Sequence, residues 1–529
     1  MSKRCCAALA IACANANFKL RLPNDASLYY LAFGTTSFEY RPQADQLASV
    51  GFLPADLLRS SGTGAQEILN ARRSTWDNVK EAHVVPRQKA AFAYGETVRR
   101  RVDPALAEWS GAGVFQCRVF PLESGKLHRV VVGYDVPLTH DGGDLVYRFE
   151  VPADLPECQV DLNVSALPGM QAEISPDVRP FTGGGRAYYH FDEPSENEIV
   201  LRLQQPETML LVGNDDRAGD FFTTQVQPQL PSGKEKVSST HALFLVDKSL
   251  SSRSERFNTY LDLLRAILQS NRDSLQQFAV LLFNIESHWW QEGYVENTPE
   301  NVSRLMDFCH SLALEGATDL RLAISEATTP SWQQRRSREV PRPDVFLLSD
   351  GAATWGDDNI HMIAETLAEG PTGALFAYKT GQSGTATGVL EHLARESGGA
   401  VFSVANQQEV AAVATAHNKR PWTLLDVAIA GGRDVLVAGR PRTIYPDQRL
   451  TVVGRGTPDP AAGLVLQVKR GDQLKTVRLP LTHAVPSELA ARAYGQVAVG
   501  QLEDLISATA EISTAYARHF RVPGRTCLC

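Results

Sequence analysis

Between residues 238 and 405 the chain alternates two kinds of apolar pattern. The runs HALFLVD (241–247), FAVLLF (278–283), VFLLSD (345–350), ALFAY (374–378) and AVFSV (400–404) are almost continuously apolar, as expected of strands covered on both faces. Between them Phe257, Leu261, Leu264 and Leu268 fall on one helical face, and comparable spacing recurs in 302–314, 320–328, 359–368 and 387–395. Strand and helix in turn over roughly 165 residues predict an α/β fold with a doubly wound, mainly parallel sheet.

The flanks carry another rhythm. VFQCRVF (114–120), HRVVVGYDV (128–136), LVYRFEV (145–151), QVDLNV (159–164) and EIVLRLQ (198–204) are short β-type runs separated by SGK, HDGGD, LPGM and TGGG. Short strands divided by such turns predict an antiparallel β-sandwich over 91–230. The pattern returns after Arg420 in LLDVAI, QRLTVVGRG, LVLQVKR and KTVRLPL, before an Ala-rich helical stretch from Ser487 to about Ala508. Residues 420–529 therefore form a β-rich region with a helical end. Residues 17–90 are less legible, with a Pro-, Ser- and Gly-punctuated stretch from Arg41 to Thr63 and a helical reading from Ala65 to Lys80.

Length and composition narrow the function classes. At 529 residues the chain exceeds the roughly 250–300 residues that one core sustains, so several domains are expected. Apolar residues at 43% and charged residues at 21% describe a folding, globular chain. The net charge of −8 gives no general attraction to phosphate backbones, and the basic run Arg99–Arg101 is soon followed by Asp103, so no nucleic-acid partner is expected. Internal apolar stretches are broken by charge well short of the ~18–20 residues a membrane span needs.

At the N-terminus, Lys3 and Arg4 precede the apolar run Cys5–Cys13 and the small-x-small triplet Ala14-Asn15-Ala16. That is the layout of a secretory signal peptide over 1–16, and points to an exported protein. An ordinary buried N-terminal segment, or a start inside a longer gene, is the alternative and leaves the protein cytoplasmic. The closing ARHFRVPGRTCLC has the pattern of a chain cut short. Cys117, Cys158, Cys309, Cys527 and Cys529 show no CxxC pair and no zinc-type spacing, so neither a zinc site nor a dense disulfide framework is expected.

The chemistry is expected where strands end. In an open α/β sheet, loops and helix N-termini converge outside the carboxyl ends of the strands. There the first strand ends in DKSLS (247–251), the loop Glu315-Gly316-Ala317-Thr318 precedes a helix, and the third run ends in Asp350-Gly351. Asp247, Ser249, Ser251, Thr318 and Asp350 thus offer two carboxylates and three hydroxyls, the all-oxygen set that a hard divalent cation such as Mg²⁺ takes. Neutral hydroxyls leave much of the cation's charge uncompensated, so a partner's acidic oxygen could complete the shell. A hydrolase would place a base or nucleophile over the metal; His241 lies at the other end of its strand, and His288 and His310 sit in other elements. GxxxxGK[ST], HExxH, GxSxG and EF-hand motifs are absent, and Gly111-Ala112-Gly113 precedes a strand rather than a helix. Trp289, Trp290 and Tyr294 read as packing.

DKSLS, GATD (316–319) and LLSDG (347–351) resemble the metal-ion-dependent adhesion site of von Willebrand factor A domains, in that family's order and separation. The resemblance implies that Ser249 and Ser251 bind Mg²⁺ or Mn²⁺ directly, Thr318 in some states, and Asp247 and Asp350 mainly through water. Residues 101–138, with VFQCRVFPLESG and the strand holding Tyr134, resemble the second half of the VIT module that precedes the A domain in inter-alpha-trypsin inhibitor heavy chains and many bacterial proteins. The expected function is metal-dependent binding of a protein partner through an acidic residue, without catalysis. An Mg²⁺-dependent hydrolase and a structural module that takes no metal are the competing readings.

Overall fold

The central apolar runs become strands of one sheet. The computed structural model describes mainly strand segments between residues 14 and 204, then residues 209–232, 239–333, 342–382, 384–404, 407–446, 448–481, 483–487, 489–505 and 510–520, with 522, 527 and 528. In chain order the central unit runs β1 (His241–Asp247), α1 (Ser254–Ser270), β2 (Gln277–Phe283), β3 (Ser287–Trp289), α2 (Pro299–His310) and α3 (Leu320–Thr328). It continues with β4 (Asp344–Leu348), α4 (Ile360–Glu369), β5 (Leu375–Lys379), α5 (Thr387–Ser397), β6 (Ala400–Ser403) and α6 (Gln407–Val413). The strand order is β3-β2-β1-β4-β5-β6. All neighbours are parallel except β3 which, like the two-residue strand Val295–Glu296, pairs antiparallel with β2.

The continuous apolar runs are explained by the two faces they fill. Ala242, Phe244 and Val246 of β1 pack with Phe257, Leu261 and Leu264 of α1 and Leu305 of α2. Leu243 and Leu245 point the other way, into a core shared with Leu320 and Ile324 of α3, Ile363 of α4 and Leu390 of α5. Each such side chain contributes about 1.5–3 kcal/mol by leaving water. Helix starts are set locally: Thr298 accepts a hydrogen bond from the Asn301 amide ahead of α2, with a proline in the first turn, and Asp319 accepts one from the Leu322 amide ahead of α3. The chain leaves β1 toward β2 and returns to β4 on the opposite side. The β1–β4 boundary is therefore the switch point, where connections diverge and open a crevice.

The flanking regions are antiparallel, as their turn-punctuated pattern predicts. Upstream, Glu198–Leu203 lies between Asp144–Glu150 and Ala172–Ser175, and shares a core with the pair Gln159–Ser165 and Arg186–Asp192. The expected helix over Ala65–Lys80 meets a strand, Asp77–Glu81, paired with Ser27–Ser37; residues 65–76 lie outside the described residues. Ala14-Asn15-Ala16 begins the strand Ala14–Arg21, paired with Val114–Leu122, and residues 1–13 lie outside the described residues.

The expected division of the chain at residue 230 is crossed by one sheet. Gly219–Val226 pairs on one side with Met209–Asp215 and on the other with Leu450–Gly456, while Met209–Asp215 also pairs in parallel with His483–Pro486. This sheet faces a second one built from Trp422–Ile429, Leu464–Arg470 and Gln473–Leu479 across a core of Phe222, Trp422, Val452 and Leu466. Its other side is covered by the helix Leu489–Glu503, through Ala490 and Tyr494 against Phe221 and Val453. Strands on both sides of the α/β unit thus close one β-sandwich. Among the described residues no helix is long and apolar enough to cross a membrane.

Candidate metal centre

Register brings the two acids together. β1 and β4 pair in parallel with Val246 opposite Leu348, so Asp247 and the Ser349-Asp350 step leave the sheet side by side. Asp247 is wholly buried. One carboxylate oxygen accepts the Ser249 amide at 2.9 Å and the other accepts the Ser349 hydroxyl at 2.6 Å. The chain then turns through Leu250–Ser252, where the Ser252 hydroxyl donates back to the Asp247 carbonyl at 3.0 Å. This tight return presents Ser249 and Ser251 on one side, with their hydroxyls 2.9 Å apart.

The third segment arrives from the loop before α3. The Leu250 amide donates to the Gly316 carbonyl at 3.1 Å, and the Thr318 amide donates to the Thr354 hydroxyl at 2.8 Å. The loop so held delivers the Thr318 hydroxyl to Ser249 Oγ at 2.9 Å. Asp350, also wholly buried, accepts the Ala352 amide at 2.9 Å on one oxygen. Gly351 next to it has φ +73°, and a Cβ there would lie 2.8 Å from Leu390, so both the backbone and the space require glycine. All five residues singled out from the sequence meet at this one strand-end crevice.

The electrostatics are unbalanced. Burial, and then the Asp350 charge, push the Asp247 carboxyl up to about 6, although hydrogen bonds from Ser349 and Ser249 pull the other way. Asp350 is answered by a residue the sequence reading passed over: buried Arg256 of α1 donates from Nη1 to the second Asp350 oxygen at 3.0 Å and to the Ser251 carbonyl at 3.1 Å. Arg256 answers Asp350 directly, but the two buried carboxylates still repel one another. A hard cation relieves that repulsion, so the donor set fits one. Among the described residues no three His, Cys, Asp or Glu side chains gather at one point, and the nitrogen- and sulfur-rich sets of structural zinc are absent from them.

Residues 242–352, which contain the whole cluster, match the family model of the von Willebrand factor type A domain. With the strand order above, this segment has the α/β fold of a von Willebrand factor type A domain, and is called the A domain below. Over 166 residues the chain is 29% identical to inter-alpha-trypsin inhibitor heavy chain H4 of Homo sapiens, a match covering 30% of this chain and 17% of that protein. To heavy chain H3 of Homo sapiens it is 24% identical over 183 residues, covering 34% of this chain and 20% of that one. The matches thus span a fifth or less of the length of these relatives. Among solved structures, a von Willebrand factor type A protein from Catenulispora acidiphila is similar at 10% identity and a TM-score of 0.29, over 59% of this chain and 82% of that chain. Proximal thread matrix protein 1 from the mussel byssus, in a structure with a zinc-occupied MIDAS motif, is similar at 17% identity and a TM-score of 0.27, over 35% and 48%.

In the A domain the remaining sequence candidates fall elsewhere. His241 opens β1 and hydrogen-bonds Gln277 at 3.0 Å, His288 pairs with Glu286 at the surface, and His310 is exposed at the end of α2. Trp289 and Tyr294 pack edge-on against Trp332, and Trp290 stacks on Phe278. Cys309 is a buried free thiol. Arg256 had a signal of its own: it shares a helix face with the buried Tyr260, Leu263 and Ile267, where a lone charge is costly unless an acid meets it. Ser349, as one more polar residue at a strand end, gave none.

Proposed function

We propose that the A domain is a binding module in which Asp247, Ser249, Ser251, Thr318 and Asp350 hold one divalent cation, Mg²⁺ or Mn²⁺, and that this cation captures an acidic side chain of a protein partner. One observation carries the reading: three hydroxyls linked at 2.9 Å spacing lie beside two buried carboxylates drawn from separate strands. The bound cation would supply an uncompensated positive charge to a partner's carboxylate. The chain's own residues orient the donors: Ser349 and the Ser249 amide fix the Asp247 oxygens, Thr354 fixes the Thr318 loop, and Arg256 fixes Asp350. His241 bonds Gln277 and His288 pairs with Glu286, so neither serves as a general base at this cluster, and the reading is of binding.

Calorimetric titration tests the reading. Mg²⁺ and Mn²⁺ should bind with one-to-one stoichiometry, and Asp247→Ala should abolish the heat while leaving the circular dichroism of the fold in place. Capture of a partner from the source organism should then be lost in EDTA. The Arg256–Asp350 pair favours a second reading, in which the cluster is a structural ion pair that takes no metal; absence of any metal heat in the wild-type protein would establish it over the first.

A further inference from the structure

Two large apolar side chains on the loops that carry the oxygen-bearing residues face water. Leu250 stands between Ser249 and Ser251 and is 68% exposed, and Trp355, five residues after Asp350, is 61% exposed. Single exposed apolar residues need no explanation, but a tryptophan is mostly buried on average, and these two come from different loops of one crevice. Both are tied to the loop that delivers Thr318. The Leu250 amide donates to the Gly316 carbonyl at 3.1 Å, and the amides of Thr354 and Trp355 both donate to the Thr318 carbonyl at 3.0 Å. Gly356 then turns at φ +72°, where a Cβ would fall 2.4 Å from the Asp319 carboxylate, so the Trp355 loop is seated on the cap of α3.

From this placement we infer that Leu250 and Trp355 form an apolar shelf flanking the cation, and that the partner presents its acidic side chain between apolar neighbours, at least one of them large. The inference rests on the metal-dependent capture proposed above and adds the partner's chemistry to it. Charge complementarity supplies the anchor, since a carboxylate is the group that a hydroxyl-ligated cation lacks. The shelf supplies area beside it: a tryptophan held on a rigid backbone loses little freedom when covered and buries a large surface, as binding hot spots do. A bare carboxylate, such as a free anion or a glutamate among glycines, would leave both side chains wet.

Peptides with a central glutamate test this by fluorescence anisotropy in Mg²⁺, one series flanked by Leu, Ile, Phe or Trp and the other by Gly and Ser. The expected result is binding of the apolar-flanked series alone, lost in EDTA and in Asp247→Ala, and weakened ~30-fold in Trp355→Ala. Mg²⁺ titration of Trp355→Ala serves to show that the metal site is intact. Equal binding of the two series, or unchanged affinity in Trp355→Ala, overturns the shelf and leaves the capture of acids standing. Binding of neither series by a protein that does take up Mg²⁺ overturns the shelf together with acid capture. Binding that persists in EDTA removes the metal from recognition and sinks both.

Discussion

Two clusters of charge in this chain answer burial in opposite ways. At the strand-end crevice of the A domain, Asp350 pairs with Arg256, while the Asp247 carboxyl is pushed up to about 6 by burial and its acidic neighbour. At the seam between α5 and the C-terminal helix Leu489–Glu503, Asp504 and Glu396 meet Arg395, Arg442 and His392. Burial raises those carboxyls too, but His392 and Arg395 at Asp504, and Arg395 and Arg442 at Glu396, hold both below the usual range. The seam is a compensated network that joins two parts of the fold. In the crevice, burial and the neighbouring acid outweigh the hydrogen bonds that favour the Asp247 charge, a balance that a bound cation would reverse.

The largest test of this contrast is Arg256→Met. In EDTA it should cost about 3–5 kcal/mol in urea unfolding, because the buried Asp350 charge loses the guanidinium that faces it, and Mg²⁺ should recover much of the loss. Arg395→Ala at the seam should destabilise as well, but Mg²⁺ should not rescue it. If the two variants respond alike to Mg²⁺, the contrast fails.

The effect of pH comes next and has opposite signs at the two places. Asp247 binds its proton more tightly folded than unfolded, so its ionisation costs stability as pH rises from about 4 to about 6. The metal-free domain should lose on the order of 1–3 kcal/mol over that window. Mg²⁺ must displace the same proton, so calorimetry should find affinity about tenfold weaker near pH 5 than near pH 7.5. Asp504 and Glu396, with lowered folded values, contribute stability that is present above their unfolded range and lost as pH falls through their folded values. Acid should therefore loosen the seam, which hydrogen exchange of the helix Leu489–Glu503 would register. The smallest change is expected from Arg442→Ala: its side chain is 67% exposed in its pair with Glu396, and the unfolding free energy should change by no more than about 0.5 kcal/mol. A larger shift would place the seam nearer to the crevice in character.

Much of the A domain was legible because its signals are local. Runs such as HALFLVD and FAVLLF announce strands wet on neither face, and the helical spacing of Phe257, Leu261, Leu264 and Leu268 places α1 against them. The order DKSLS, GATD and LLSDG, each after or before a predicted element, named five side chains that the fold assembles in one crevice. The edge strand β3 was not foreseen, because SHW within a polar stretch carries no strand pattern until β2 offers it hydrogen bonds. The helical spacing over Ala65–Lys80 failed at Asp77–Glu81, where pairing with Ser27–Ser37 overrides local preference.

By itself the sequence determined the alternation of elements, the buried character of the central strands and which oxygen-bearing side chains stand at the strand ends, since periodicity and residue chemistry are properties of neighbours along the chain. Tertiary structure alone decided that Arg256 meets Asp350, that Ser349 steadies Asp247, and that strands before and after the A domain close a common sandwich. Apolar alternation says that a segment will be a strand, but the choice of partner comes from packing between residues hundreds of positions apart. A charge on an apolar helix face likewise acquires its meaning only when the fold sets an acid against it.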